Sequence, residues 1–175
     1  MNNWFLLLIL LFLISCSYRK DNYIAYNNEN SKYWSNDSDE IDLVMSYILS
    51  SHKEYKKIIK MNNEDKIKFL DQYFSGLDPD TTTVKNESLE ELNNRVMVSK
   101  KLFSGSDGGL LSDRAKIYII YGAPNYEYQT YQNNLELFVW QYEIDSRIIE
   151  FKFISDTFGR YTLIMNDFDN YILYK

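Results

Sequence analysis

At Gly105-Ser106-Asp107-Gly108-Gly109 the hydrophobic period of this chain changes. Before the break, apolar residues recur every three or four positions, as on one face of a helix; after it they alternate or run together in short blocks between turn residues, as in strands. Helices first and antiparallel strands last make an α+β fold, with about three helices followed by a sheet of about four strands.

The individual elements follow from the same reading. Asp37 and Glu40 have the spacing of a capping box. Ile41, Val44, Met45, Ile48, Leu49, Tyr55, Ile58 and Ile59 then continue at helical spacing, which predicts one helix of about five turns. His52 falls on or beside that stripe, where partial burial is expected. A second helix is predicted over residues 63–74, with Ile67, Leu70, Tyr73 and Phe74 on one face and Gly76 at its C-cap. Pro79 biases Asp78 away from helix, and the threonines after it favour caps and loop. A third helix then turns Leu89, Leu92, Val96 and Phe103 inward. Beyond the glycines, residues 116–121 (KIYIIY) read as a strand closed by Gly122-Ala123-Pro124. Residues 135–144 and 148–154 read as two strands joined by Asp145-Ser146-Arg147, and residues 161–165 as another after the turn at Gly159.

The amino-terminal end says where the chain resides. Residues 4–14 are an unbroken run of eleven apolar side chains. As a helix this rises only about 16 Å, roughly half the hydrocarbon thickness of a bilayer. It has the length of a signal-peptide core, although Met1-Asn2-Asn3 carries no lysine or arginine. The run ends in Leu13-Ile14-Ser15-Cys16, which resembles a bacterial lipobox. In such a sequence the cysteine thiol takes a diacylglyceryl group and the chain is cut between Ser15 and Cys16. Two or three acyl chains hold a protein on a bilayer almost permanently, so a lipid anchor in the cell envelope is expected. Ser17 after the cysteine favours the outer membrane under enterobacterial sorting. With Cys16 the only cysteine, no disulfide framework is available. The expected organisation is a signal peptide over 1–15, a flexible tether over 16–37, a helical segment over 38–76 and an α+β domain over 77–175. The tether's Tyr33 and Trp34 are expected to be exposed.

Several function classes find no support. The formal net charge of −6, with no long basic run, argues against nucleic acid. One histidine and one cysteine make no usual zinc site, and no nucleophile-elbow pattern supports a hydrolytic triad. Asp78-Pro79-Asp80 lacks the alternating ligands of a calcium loop, and no Gly-Lys-Ser/Thr follows Gly108-Gly109. No cofactor is called for. Of the carboxylates Asp78, Asp80, Glu87, Glu90, Glu91, Asp113, Glu127, Glu136 and Asp156, no two are singled out by spacing as a glycosidase pair. Two candidate surfaces remain. Asp113 and Arg114 suit a carboxylate, sugar or peptide end, or else Ser112 or Asp113 caps a turn while Arg114 pairs with a carboxylate such as Glu87. Tyr121, Tyr126, Tyr128 and Tyr131 are expected in one aromatic loop suited to a partner or a carbohydrate.

Residues 77–153 also resemble the GWxTD-domain family of bacterial envelope proteins. The name motif is matched by Gly109-Leu110-Leu111-Ser112-Asp113-Arg114, with Leu110 in place of the tryptophan, Ser112 in place of the threonine, and Ala115 where the family has a further glycine. Tyr118, Tyr121-Gly122-Ala123-Pro124, Trp140 with Tyr142, and Phe151-Lys152-Phe153 follow in order. Asp78-Pro79, Thr82 or Thr83, Asn86-Glu87, Arg95 and Phe103 precede it in order. The resemblance implies a domain of unknown function with no activity to carry over, and many members are lipoproteins. Together with the anchor, this leads to the expectation of a non-enzymatic binding or accessory part of a membrane assembly, held by lipid and touching an envelope protein. A hydrolase of envelope glycan or peptide acting near Asp113, and a carbohydrate-binding module, are the alternatives.

Overall fold

Short polar caps decide where the helices of this chain stop and restart. The computed structural model describes residues 32–49 and 51–166. The lipobox with Ser15 and Cys16, and the tether as far as residue 31, lie outside the described residues. Asp37 caps helix α1 (Ser38–Ile48) by accepting from the Asp39 amide. The reciprocal half of the capping box is absent, because Glu40 instead pairs with Lys100 at 2.6 Å.

The five-turn helix expected from periodicity is two helices. Ser51 adopts an extended backbone and its hydroxyl caps α2 (His52–Ile58) by accepting from Glu54 N. A serine that bonds its own downstream backbone competes with helix continuation, and here it wins. The restart resets the phase of the apolar stripe, so Ile58 is buried and His52 is exposed, contrary to the expected partial burial.

Helix α3 (Asn63–Ser75) ends at Gly76 as expected. Its inward face differs by one residue: Leu70 and Phe74 are buried, Ile67 is exposed, and Lys66 points inward. Lys66 is satisfied there, since its ammonium donates to Ser38 Oγ at 2.6 Å and Asp42 Oδ2 at 2.7 Å. Helix α4 (Glu87–Leu102) is capped by Asn86 and buries Leu89, Leu92 and Val96, with Phe103 buried just beyond it. These helices close one core cluster, which also takes in Tyr33 and Trp34. The expected exposure of those two rings is therefore wrong. Trp34 is only 3% exposed and meets Phe74 edge-on.

Residues 116–121 are not a strand. Asp113–Tyr121 is helix α5. Its Ile117, Tyr118, Ile119 and Ile120 are all buried. A helix buried on every side has no polar stripe to reveal its period, so nine residues with an Ile-Tyr-Ile-Ile core look like a buried strand. The helix lies between the two cores, with Ile119 in the helical cluster and Ala115, Ile117 and Tyr118 in the cluster against the sheet.

The sheet is antiparallel in the order β1 (Tyr126–Gln132), β2 (Leu135–Ile144), β3 (Arg147–Ser155), β4 (Tyr161–Asn166). Asn133-Asn134 and Asp145-Ser146 have positive φ at both positions, between 50° and 63°. That is the signature of two-residue type I′ hairpins, whose twist matches the strands they join. Trp140, Tyr142, Ile149, Phe151 and Phe153 face α5 and Phe103. Leu137 and Val139 alternate to the opposite face and are buried as well.

Candidate functional site

The loop that carries the glycine-rich break is a junction where three parts of the fold are tied together. Gly108 and Gly109 have φ of 100° and 63°, the left-handed region in which glycine pays no steric penalty. Their turn lets Gly109 N donate to Phe103 O at 2.7 Å and swings Leu110 back into the helical core. The Leu110 carbonyl accepts from the Tyr47 hydroxyl at 3.0 Å. Burial, and next the nearby Asp113 charge, push that hydroxyl's pKa up to about 12.

Ser112 then caps α5: its Oγ accepts from Ala115 N at 3.0 Å. Substituting a capping serine by alanine costs about 0.5–2 kcal/mol. Ser112→Ala is expected to lower stability within that range in urea titrations, and Ser112→Thr to retain most of it.

Asp113 and Arg114 line neither of the two larger cavities and are engaged by the fold. Asp113 Oδ2 accepts from Leu163 N at 2.8 Å, which ties α5 to β4. Arg114 Nε donates to Asp107 Oδ2 at 2.9 Å. The other oxygen of Asp107 accepts from Tyr161 N at 2.8 Å. The Arg114 guanidinium lies 3.8 Å from the Tyr161 ring centroid and 5.1 Å from that of Phe103. The partner of Arg114 is thus Asp107 and not Glu87, which accepts from Thr83 instead. Asp107 is 4% exposed. In sequence it looked like one more residue of a flexible break, and only its place between glycines that turn the chain inward hints otherwise.

Downstream, Gly122 is required by its φ of 80°, and its Cα faces the Arg95 guanidinium, which a Cβ there would meet at 3.4 Å, an ordinary contact. Arg95 donates to the Ile120 carbonyl at 2.7 Å at the end of α5. Tyr142 OH donates to the Gly122 carbonyl at 2.9 Å, and Pro124 follows in the turn that leads to β1. Trp140 packs with Phe103, Tyr118, Phe138 and Phe153, and its indole N–H has no hydrogen-bond partner among the described residues. Its role is packing.

The four tyrosines expected in one loop are separated. Tyr121 ends α5 and packs on the sheet core, its ring centroid 5.1 Å from those of Tyr142 and Phe151. Tyr126, Tyr128 and Tyr131 are on β1, an unanticipated strand, and are 58%, 40% and 72% exposed. The Asn133-Asn134 pair is the signal that reveals this hairpin. Tyr126 and Tyr128 share a face, while Tyr131 alternates to the other. Because Asp113 and Asp107 engage β4, and β1 is the opposite edge of the sheet, the Asp113–Arg114 surface and the β1 tyrosines lie three strands apart. At the spacing of neighbouring strands that is about 14 Å.

Tyr128 OH donates to Glu150 Oε1 at 2.8 Å. This bond holds the Glu150 carboxyl below the usual carboxylate range and, with burial a smaller contributor, raises the Tyr128 phenol. A depressed carboxylate pKa adds stability that is present above its unfolded value and lost as pH falls through the folded one. Tyr128→Phe is therefore expected to flatten the acid side of the stability curve, read as melting temperature from pH 7 to pH 3, and to leave its neutral side little changed in slope.

Two larger cavities flank the helices. One of about 740 Å³ runs along the glycine loop, lined by Leu43, Lys100, Gly108, Leu110 and Leu111 among others. Another of about 470 Å³ lies between Trp34, Phe74, Leu89 and Met97. Neither is lined by Asp113, Arg114 or the β1 tyrosines. Among the described residues, no group of three or more His, Cys, Asp or Glu side chains is placed to hold a metal ion, and no helix is long and apolar enough to cross a membrane.

No curated protein and no solved structure matches the chain. The GWxTD domain family does match, over residues 11–173. That span reaches well beyond the motif loop and takes in the helices as well as the sheet. By this match the chain belongs to the GWxTD domain family.

Proposed function

We propose that this protein is held on a bacterial membrane by lipid at Cys16 and works by binding, as an accessory part of an envelope assembly. The observation that carries the binding half is the division of labour between the two edges of the sheet. At β4, the ionisable side chains of the motif are engaged in holding the fold together. At β1, three tyrosines stand in solvent. Exposed tyrosine supplies large contact area for little loss of side-chain entropy, which is what a recognition surface needs. The lipid half rests on Leu13-Ile14-Ser15-Cys16 after an apolar run.

Mild crosslinking of intact membranes followed by pull-down should recover a stoichiometric envelope protein. Tyr126→Ser combined with Tyr131→Ser should reduce that recovery. Recovery unaffected by the double substitution counts against β1 as the contact surface. Cys16→Ala should move the chain out of the lipid pellet, and its continued sedimentation there would refute the anchor.

A further inference from the structure

Natural sheets protect their edges with charge, proline, bulges or a covering element, because a bare strand edge accepts another strand. Among the described residues, one edge of this sheet is protected and the other is not. At β4, the amides of Tyr161 and Leu163 are taken by the carboxylates of Asp107 and Asp113. A carboxylate on an edge amide blocks strand addition there. Strand β1 (YEYQTYQ) contains no proline and no lysine, and Glu127 is its one charged residue. It is paired to β2 without a bulge over all seven of its residues.

From this asymmetry we infer that β1 pairs antiparallel with β1 of a second copy of this chain. The copies would join their two four-stranded sheets across a two-fold axis at Gln129. The occupant is argued from the strand's fit to itself. In the register centred on Gln129, Glu127 faces Tyr131 of the other copy and not another carboxylate. Tyr128 faces Thr130, an aromatic and β-branched pair of the kind that stabilises adjoining strands. Two-fold symmetry makes that pair occur twice, and the Gln129 amides, each donor and acceptor, meet at the axis. No like charges are opposed. Pairing of this kind uses the backbone edge, so the Tyr126 and Tyr128 rings stay on the outer face. It therefore goes beyond the binding reading above and requires neither the lipid nor an envelope partner.

The test uses the full chain in its own membranes. Residues opposed across antiparallel strands have Cα atoms about 4.5–5.5 Å apart, within the reach of a disulfide. Gln129→Cys is expected to give, on mild oxidation, an SDS-resistant dimer joined between the two substituted sites. Asn134→Cys, in the turn beyond the register, should give several-fold less. Equal yields from the two variants, or no dimer from a Gln129→Cys chain with a wild-type melting curve, overturns the inference. A disulfide to a different protein overturns it too, while leaving the binding function standing. If Gln129→Cys does not fold, hydrogen exchange on the unaltered chain in detergent decides. Protection of β1 amides that rises with protein concentration supports pairing, and protection independent of concentration refutes it.

Discussion

Asp107→Ala is expected to cost about 3–5 kcal/mol of folding stability, the penalty for stranding a buried charge. Asp107 is the carboxylate on which two ties converge: the Arg114 guanidinium at 2.9 Å and the Tyr161 amide at 2.8 Å. With the carboxylate gone, Arg114 keeps its place between the Phe103 and Tyr161 rings but loses its counter-charge. Its side chain is only 17% accessible, so water replaces little of what is lost. The half-buried Tyr161 amide loses its acceptor at the same time, which adds to the cost. Replacing both members by apolar residues removes the stranded charge, so Asp107→Leu with Arg114→Met should recover a large part of the loss. Urea titration with an unchanged m-value is the measurement for both variants. A single substitution costing less than about 1 kcal/mol would place the pair among weak surface bridges.

The second large effect is expected at Phe151. This side chain is fully buried in the middle of β3, and its ring centroid lies 5.1 Å from that of Tyr121 and 5.7 Å from that of Tyr142. Truncating a core phenylalanine costs about 3–5 kcal/mol, from lost transfer energy and from the cavity left behind. Phe151→Ala is expected in that range, and Phe151→Leu well below it because most of the volume is kept. The cavity would open directly beneath α5, so near-ultraviolet circular dichroism of the aromatic cluster should weaken before global unfolding.

Much of this architecture was legible from residue patterns alone, and the exceptions have physical causes. Helices α3 and α4 are readable because each exposes one face and buries the other, and β2, β3 and β4 because their apolar runs are bounded by turn residues. Helix α5 reads as a strand because it is enclosed by two cores and its Ile117–Ile120 stretch carries no polar stripe. Strand β1 was missed for the opposite reason: neither of its faces is covered, so it shows no apolar alternation, and only Asn133-Asn134 marks it. Trp34 reads as part of a tether because its neighbours are polar, yet its indole against Phe74, together with the Tyr33 hydroxyl donating to Asp71, holds that segment on the helices. Ser112, Asp113 and Arg114 stand out in the sequence, but they open a helix and not a strand, and their partners are not legible there. Asp107, Tyr161 and Leu163 come from loop and strand positions whose closeness depends on tertiary structure.

The motif thus emerges as a set of ties. Gly109 turns the chain, Leu110 enters the helical core, Ser112 starts α5, and Asp113 and Arg114 fasten α5 and its preceding loop to the last strand. Leu110, read from sequence as standing at the tryptophan position of the family name, is a buried packing residue, 8% exposed. Every polar group in the set has a local structural partner, which favours a fold-holding role over chemistry.

Thermal denaturation of Asp113→Ala tests that account most directly. Removing the acceptor of the Leu163 amide is expected to cost about 1–3 kcal/mol and to lower the melting temperature by several degrees. An unchanged melting temperature would contradict the account and return Asp113 to the candidates for catalysis or ligand binding.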